Sequence, residues 1–244
     1  MEAIKTKGLT KKYKDTLAVD RLDLSEKKGE LFALLGVNGA GKTTTVKMLS
    51  GLTLPTSGTA FIGGMDIVKE SEKAKGIIGV SPQETAVAQN LTVKENLELM
   101  CGIYGYGRDK TAETVKALGQ RFGLDTVFSK KAGSLSGGWG RRLSIAMALT
   151  GDPEVLFLDE PTLGLDVIAR SKLWDVIKEM KGKVTIILTT HYMEEAEMLS
   201  DRVGMKSGRM LNVGTPNGLK ALCGAKNLEE AFISIIKGGP KNED

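Results

Sequence analysis

The sequence predicts an α/β fold with a helical insertion, and three observations support this. A glycine-rich loop at residues 36–44 stands between an apolar run and a helix-compatible run. A second apolar run, residues 155–158, ends in two adjacent carboxylates, Asp159 and Glu160. Between these features, residues 91–132 carry apolar positions at helical rather than strand spacing. We therefore expect a helical insertion in an otherwise α/β chain.

The composition limits the function classes to consider. The chain has 244 residues, of which 41% are hydrophobic and 26% charged, enough for one large domain or a domain with a subdomain. A membrane-spanning helix needs about 20 mostly apolar residues, and the apolar runs here are far shorter. The first residues also lack the apolar segment of a secretory signal. We therefore expect any membrane role to be peripheral.

Charge and cysteine content argue against two further classes. The net charge is +4, and the lysines that cluster within residues 5–14 favour a solvated face over the basic stripe of a nucleic-acid-binding protein. Cys101 and Cys223 are far apart, and His191 is the single histidine. This content predicts a reducing compartment and no structural zinc.

The N-terminal part predicts two short strands, residues 4–9 and 16–24, separated by a lysine-rich connection at residues 11–14. Tyr13 lies in that connection, ahead of the glycine-rich loop. It is either a stacking platform for an adenine ring, since an aromatic face suits a base, or an ordinary half-exposed loop tyrosine. Spacing alone favours the second interpretation.

The glycine-rich loop fits the pattern G-x-x-x-x-G-K-[ST] in the strand–loop–helix context of a phosphate-binding loop. Glycines let consecutive backbone N–H groups turn toward an anion, and the next helix adds free N–H groups and a partial positive charge. We expect Lys42 to reach the outer phosphates and Thr43 to offer its hydroxyl to Mg²⁺. The predicted phosphate-binding residues are Gly36, Asn38, Gly39, Ala40, Gly41, Lys42, Thr43 and Thr44.

The next segments predict a turn at residues 54–58, a strand at 59–62, a polar helix at 68–75 and a strand at 77–80. Pro82 ends that strand, so Gln83 stands just past it, where its amide oxygen can bind a metal or a water. Thr92 and Glu95 predict the capping box of one helix, and residues 110–122 predict a second.

The segment 135–142 offers a possible second anion site. Ser136 is placed to cap a helix at residues 138–150, and Gly137 and Gly138 leave backbone N–H groups unobstructed at its start. The alternative is a plain capped helix, which is favoured without further context.

The run 155–158 predicts a buried parallel strand. Its two following carboxylates stand at the carboxyl end, where open α/β sheets place their ligands. Strand alternation points Asp159 and Glu160 in different directions, so that one serves Mg²⁺ while the other faces an attacking water. A helix cap is the alternative, and the upstream phosphate loop favours the metal-binding interpretation.

The remaining elements follow in order. Asp166 is placed to cap a helix whose apolar face comprises Leu173, Ile177 and Met180, and residues 184–188 predict a strand that closes at His191. A lone histidine is often a packing residue, but its position at the same sheet edge favours a functional role. We expect a helix at 193–199, two strands within 203–213, a helix at 228–236 and a frayed tail at 238–244.

These pieces, in this order, resemble the ATPase subunit of an ABC transporter over residues 1–214. Tyr13 falls where that family has its adenine-stacking aromatic residue, which favours the stacking interpretation. Residues 91–97 and 227–232 resemble the drug- and lipid-exporter branch. The matching motifs are the Walker A motif at 36–43, the Q-loop at Gln83, the signature at 135–138, the Walker B strand at 155–160, the D-loop at Leu165 and Asp166, and the switch histidine at His191.

The resemblance implies one nucleotide-binding domain over residues 1–244. It implies a P-loop NTPase core with a mostly parallel sheet, an N-terminal antiparallel β subdomain and an inserted α-helical subdomain at about residues 84–150. A C-terminal extension is expected at about residues 215–244.

The resemblance also implies a mechanism with ATP and Mg²⁺. Lys42 and the loop amides hold the β- and γ-phosphates, and Thr43, Gln83 and Asp159 hold Mg²⁺, the last directly or through water. Glu160 polarises the attacking water, and His191 contacts the γ-phosphate. Two nucleotide-binding domains face head to tail, so Ser136, Gly137 and Gly138 bind the ATP of the partner.

The implied partners are a second nucleotide-binding domain and an integral-membrane permease, with the chain on the cytoplasmic face of the membrane and no nucleic acid bound. Two positions depart from the family pattern: Trp139 replaces the usual glutamine, and Leu163 replaces a small polar residue. A soluble ABC ATPase that acts on DNA or ribosomes, and a nucleotide-binding regulator without turnover, remain the alternatives.

Overall fold

The structure, a computed structural model, describes residues 2–239, and within them the chain forms two β-sheets and a set of surrounding helices. The strands of the described residues are β1 (Glu2–Tyr13), β2 (Thr16–Lys27), β3 (Leu31–Leu35), β4 (Ser57–Ile62), β5 (Met65–Asp66), β6 (Ile78–Ser81), β7 (Val155–Asp159), β8 (Thr185–Thr190), β9 (Arg202–Ser207) and β10 (Arg209–Gly214). The helices are α1 (Lys42–Leu49), α2 (Ser71–Lys75), α3 (Val93–Ile103), α4 (Arg108–Phe122), α5 (Gly137–Ala148), α6 (Val167–Met180), α7 (Met193–Leu199), α8 (Pro216–Cys223) and α9 (Leu228–Ile236).

The larger sheet has six strands in the order β10-β9-β3-β8-β7-β6. All neighbouring pairs are parallel except β9 with β10, which form an antiparallel hairpin at one edge. The predicted mostly parallel sheet is therefore confirmed. Because the parallel strands share one direction, the segments that follow β3, β6, β7 and β8 all emerge at the same edge of the sheet.

The smaller sheet is antiparallel, with the order β2-β1-β4-β5. It confirms the predicted N-terminal antiparallel region, but the predicted connection at residues 11–14 is wrong. Strand β1 continues through the lysines, pairing Lys11 with Val19 and Lys12 with Leu17, and ends at Tyr13. Lysine ammonium groups stay in solvent while their backbone joins the ladder, so a lysine-rich run does not by itself end a strand.

The six-stranded sheet is buried on both faces, and side-chain alternation along its strands creates two cores. In β3, Leu31, Ala33 and Leu35 face the core that the helices α3–α7 and α9 cover. Phe32 and Leu34 face the opposite core, which α1 and the antiparallel sheet cover. The central strands thus carry near-continuous apolar runs, as their sequences predicted.

The predicted helical insertion is confirmed by α3 and α4. The Thr92 hydroxyl accepts a hydrogen bond from the Glu95 N–H and so caps α3. The Glu95 carboxylate accepts one from the Thr92 N–H, so the capping box is present. The apolar face of α4 includes Val115, Leu118 and Phe122, which are buried. The bounds proposed for a helical subdomain, about residues 84–150, stay a prediction.

Several element ends differ from the prediction. Helix α2 is shorter than residues 68–75, and α5 begins at Gly137 and ends at Ala148 rather than spanning 138–150. Helix α8 was not predicted, although Thr215 caps it, Pro216 occupies its first turn and Gly224 ends it. Residues 240–244 of the predicted frayed tail lie outside the described residues. Among residues 2–239, no helix combines the length and apolarity that a membrane crossing requires.

Candidate functional site

The phosphate-binding loop connects β3 to α1 along the carboxyl edge of the six-stranded sheet. Gly39 and Gly41 adopt left-handed backbone conformations, with φ of 81° and 85°. A Cβ on Gly41 would stand 2.0 Å from the Ala18 carbonyl oxygen, so only glycine fits there. The start of the loop is fixed to the sheet, because the Gly36 N–H donates to the Thr190 carbonyl at 3.3 Å.

The loop forms one wall of a cavity of about 400 Å³, which we call the phosphate-loop cavity. The cavity brings together residues from the ends of four strands and from β2. Most of the predicted phosphate-binding residues line it, together with Gln83, Glu160 and His191. The lining residues are Ala18, Asn38, Gly39, Ala40, Gly41, Lys42, Thr43, Thr44, Gln83, Glu160, Leu163 and His191.

A chain of three charged or titratable side chains crosses this cavity. Lys42 Nζ lies 3.2 Å from Glu160 Oε1, and His191 Nδ1 lies 2.9 Å from Glu160 Oε2. Lys42 and Glu160 are buried, and Lys42 also donates to the carbonyls of Gly36 at 2.8 Å and Val37 at 3.2 Å. A carboxylate held between a buried cation and an imidazole is fixed in orientation, which suits a group that must receive or orient a proton.

The direction of the Glu160 side chain is set by an unusual backbone conformation and not by strand alternation. Its φ is 46°, a left-handed conformation that is costly for a residue with a Cβ. Its N–H donates to the carbonyl and the hydroxyl of Thr189, at 3.1 and 3.0 Å. These bonds hold the chain where β7 ends and turn the Glu160 side chain toward Lys42 and His191.

Asp159, the last residue of β7, serves a different set of groups. Its Oδ1 accepts hydrogen bonds from Thr43 Oγ1 at 3.2 Å and from Thr189 Oγ1. Carboxylate, hydroxyl and amide oxygens are the donors that Mg²⁺ prefers, so Asp159, Thr43 and the cavity residue Gln83 fit that ion chemically. Thr189 was missed as a site residue, although its place beside His191 at a strand end is a visible signal.

Ser136, Gly137 and Gly138 lie outside the phosphate-loop cavity. Ser136 and Gly138 line a second concavity of about 400 Å³, which we call the Ser136 concavity. Ser136 stands at the N-cap position of α5 but its side chain makes no capping bond, so the predicted side-chain cap is wrong. Its lining residues are Ser136, Gly138, Trp139, Arg142, Asp166, Ile168, Ala169 and Lys172.

Arg141 connects α5, the helix that begins beside the Ser136 concavity, to the segment that contains Gln83. Sequence reasoning missed this residue. It lies on α5, is 4% exposed, and donates from its guanidinium to the carbonyls of Pro82 at 2.6 Å and Gln83 at 2.5 Å. Burial lowers the pKa of Arg141, and the charge of Asp159 opposes that effect. An arginine on a helix usually faces solvent, so its partners were not visible in the sequence.

Tyr13 ends β1 and does not line the phosphate-loop cavity. Its side chain is 44% exposed, and Lys11 Nζ lies 5.0 Å from its ring centroid. Ala18, on the adjacent strand, lines the cavity instead. The ring is accessible from solvent at the N-terminal sheet, and the stacking role stays a prediction.

Comparison with known proteins assigns the family. A sequence model described as "ABC transporter" matches residues 19–163. The probable multidrug ABC transporter ATP-binding protein YbhF of Escherichia coli is 41% identical over 240 residues, which cover 96% of this chain and 41% of YbhF. The daunorubicin/doxorubicin resistance ATP-binding protein DrrA of Streptomyces peucetius is 40% identical over 228 residues, covering 93% of this chain and 69% of DrrA. The chain thus spans less than half the length of YbhF.

A solved structure shows the same fold. The dimeric structure of the ATP-binding cassette MJ0796, described as a post-hydrolysis state bound to ADP and Pi, superposes with a TM-score of 0.78. It is 26% identical, and the alignment covers 87% of this chain and 98% of that one. The glycine loop, the acidic strand end and these matches lead to one conclusion: the chain belongs to the ABC transporter family, as an ATP-binding domain.

Proposed function

We propose that this chain binds and hydrolyses ATP in a head-to-tail pair of nucleotide-binding domains, and that this cycle powers export through a separate membrane permease. The observation that carries the proposal is the Lys42–Glu160–His191 chain beside the phosphate-binding loop. It joins a cation for phosphate, a carboxylate and an imidazole within one cavity. The two drug-related relatives support the export direction.

In this proposal, the loop amides and the N-terminus of α1 bind the β- and γ-phosphates, and Lys42 adds a positive charge. Glu160 orients the attacking water and accepts its proton, while His191 steadies Glu160 and contacts the γ-phosphate. Thr43, Asp159 and Gln83 hold Mg²⁺, which supplies charge neutralisation at the phosphate oxygens. The chemistry requires little beyond positioning and charge stabilisation.

The second half of each site comes from another subunit. Ser136, Gly137 and Gly138 bind the ATP held by the partner's phosphate loop, whereas Tyr13 stacks on the adenine of the ATP that its own chain's phosphate loop holds. The Ser136 concavity supports this, because it offers a hydroxyl, helix-end N–H groups and two cations without the Lys42–Glu160 pair. The chain acts as one domain, with a helical subdomain at about residues 84–150 that contacts the permease on the cytoplasmic face.

The alternatives receive less support. YbhF is described as a multidrug ABC transporter ATP-binding protein and DrrA as a drug-resistance ATP-binding protein, and neither description supports a DNA- or ribosome-associated ATPase. The contact between Lys42 and Glu160 argues for turnover rather than for a regulator that only binds nucleotide. Co-purification with ribosomes in place of a membrane protein would favour the soluble alternative.

The central test is Mg²⁺-dependent ATP hydrolysis by Glu160→Gln. We expect a fall of roughly 10²- to 10⁴-fold, the usual contribution of a positioned general base, with ATP binding retained. Glu154→Gln is the matched control, because Glu154 is exposed and precedes the opposite end of β7, where it pairs with Lys28. Undiminished hydrolysis by Glu160→Gln shows that Glu160 is not the base.

A further inference from the structure

Lys206 lies directly behind the phosphate-binding loop. It is a residue of β9 and is fully buried, with 0% of its surface exposed. A Cβ on Gly36 would stand 2.4 Å from its carbonyl oxygen, and a Cβ on Gly41 would stand 3.3 Å from its Nζ. Its backbone therefore packs against one end of the loop and its ammonium group against the other.

The turn that follows β9 joins Lys206 to the loop by hydrogen bonds. Lys206 Nζ donates to the Gly208 carbonyl at 2.6 Å, and the Gly208 N–H donates to the Ala40 carbonyl at 3.2 Å. The same Gly208 carbonyl accepts from the Asp20 N–H at 3.2 Å. The ammonium group is thus linked through one glycine to both the phosphate loop and β2.

A buried ammonium group is costly, and a methionine of similar volume fills space without that cost. Burial lowers the pKa of Lys206 to about 8, and the charge of Asp20 acts in the opposite direction. A buried positive charge in this position is explained if it stabilises a negatively charged ligand, because a fixed charge has its largest effect where water is excluded.

We infer that Lys206 is a positioning residue for the triphosphate: it supports the phosphate loop from behind and adds a second positive charge to that of Lys42. This inference rests on the proposed function. Because ATP carries one more negative charge than ADP, Lys206 stabilises bound ATP more than bound ADP. The loop therefore has a cation on each side, Lys42 at the cavity and Lys206 beneath it.

The test measures the dissociation constants of ATP and ADP by calorimetry for the unmodified chain, Lys206→Met, Lys206→Arg and Lys42→Met. We expect Lys206→Met to weaken ATP binding about tenfold, a moderate effect for a unit charge at an effective dielectric constant near 20, and ADP binding less. Lys206→Arg, which keeps the charge, should bind ATP more tightly than Lys206→Met. Lys116→Met is the control, because Lys116 is an exposed lysine of α4.

The unmodified chain provides a second measurement that does not depend on a variant folding. Its ATP affinity should be constant near pH 7 and fall as the pH rises through about 8, where Lys206 loses its proton. Asp20 is the charged group that faces Lys206 from β2. Lys206→Met should lack this fall.

The outcomes are distinguishable. Equal weakening of ATP and ADP by Lys206→Met, with an unchanged pH profile, assigns a purely packing role and overturns the inference. If Lys42→Met loses ATP binding while Lys206→Met binds as the unmodified chain does, the inference fails and the proposed function stands. If the unmodified chain does not bind ATP, the proposed function fails, and the inference with it.

Discussion

The phosphate-loop cavity and the Ser136 concavity have similar volumes, about 400 Å³ each, but different contents. In the first, the key side chains already contact one another: Lys42 and His191 both reach Glu160. In the second, the hydroxyl of Ser136 makes no capping bond, and Arg142 and Lys172 are the cationic lining residues.

In the proposed function, this difference corresponds to different roles for the two surfaces. A preorganised carboxylate is needed only where a bond is broken, because catalysis depends on groups held ready for the transition state. A surface that only grips an anion needs hydrogen-bond donors and positive charge, which the Ser136 concavity offers. In the proposed function, the phosphate-loop cavity is therefore the catalytic half of the chain and the Ser136 concavity is its binding half, and the two do not face the same cavity.

Among the tests of this comparison, the largest expected effect comes from blocking the binding half. In Ser136→Arg, the bulky cation fills the concavity, so ATP binding by the isolated chain should survive while ATP-driven dimerisation is lost. Hydrolysis should fall by roughly 10²- to 10³-fold, as when a transition-state hydrogen-bond donor is removed. Light scattering on size-exclusion fractions, with and without ATP, measures the dimer.

Ser134→Arg is the matched control, since Ser134 is exposed and precedes the concavity by two residues. It should dimerise as the unmodified chain does. Dimers of Ser136→Arg at normal strength would show that the concavity is not half of a shared nucleotide site.

A smaller effect is expected within the catalytic half. His191→Ala removes the imidazole that contacts Glu160, so hydrolysis should fall by about 10²-fold while the ATP dissociation constant changes little. Steady-state rates and equilibrium titration separate the two quantities. His191→Gln, which keeps a hydrogen-bonding side chain, should recover part of the rate, and an unchanged rate in His191→Ala would remove His191 from the mechanism.

The smallest effect concerns Trp139, which departs from the family pattern. The Arg142 guanidinium carbon lies 5.1 Å from the centroid of its ring. Trp139→Ala should lower the free energy of unfolding by about 1 kcal/mol, the scale of a partly exposed cation–π contact, and leave ATP binding by the isolated chain unchanged. Denaturant titration measures the free energy of unfolding. Trp139→Phe, which keeps an aromatic ring, should retain most of the stability that Trp139→Ala loses. A weakened ATP affinity in the isolated chain would break the separation of the two halves.

The fold was largely predictable because its signals are local. The apolar runs of β3 and β7, the glycine loop and the Thr92–Glu95 capping box each specify one element within a few residues. Strand β1 was predicted too short, since its pairing with β2 overrides the lysines. Helix α8 was missed although its start and stop signals, Thr215 and Gly224, stand in the sequence.

The sequence predicted which residues form the site better than it predicted how those residues contact one another. Lys42, Glu160 and His191 follow from motifs and strand ends, but their contact depends on three strands meeting at one edge. Arg141 and Lys206 could not be found, because a cation in a helix or strand resembles a surface residue until the fold buries it. Tyr13 was placed by resemblance alone, and the structure leaves it outside the cavity.

The position of Trp139 also gives the chain an intrinsic fluorescence signal at the Ser136 concavity. The chain has two tryptophans. Trp174 is 9% exposed and donates from its indole N–H to Glu195 at 3.0 Å, whereas Trp139 is only partly buried and lines the Ser136 concavity. A collisional quencher dissolved in the buffer therefore reaches Trp139 more readily than Trp174. The quencher-sensitive part of the tryptophan emission consequently reports on the Ser136 concavity, without any attached label.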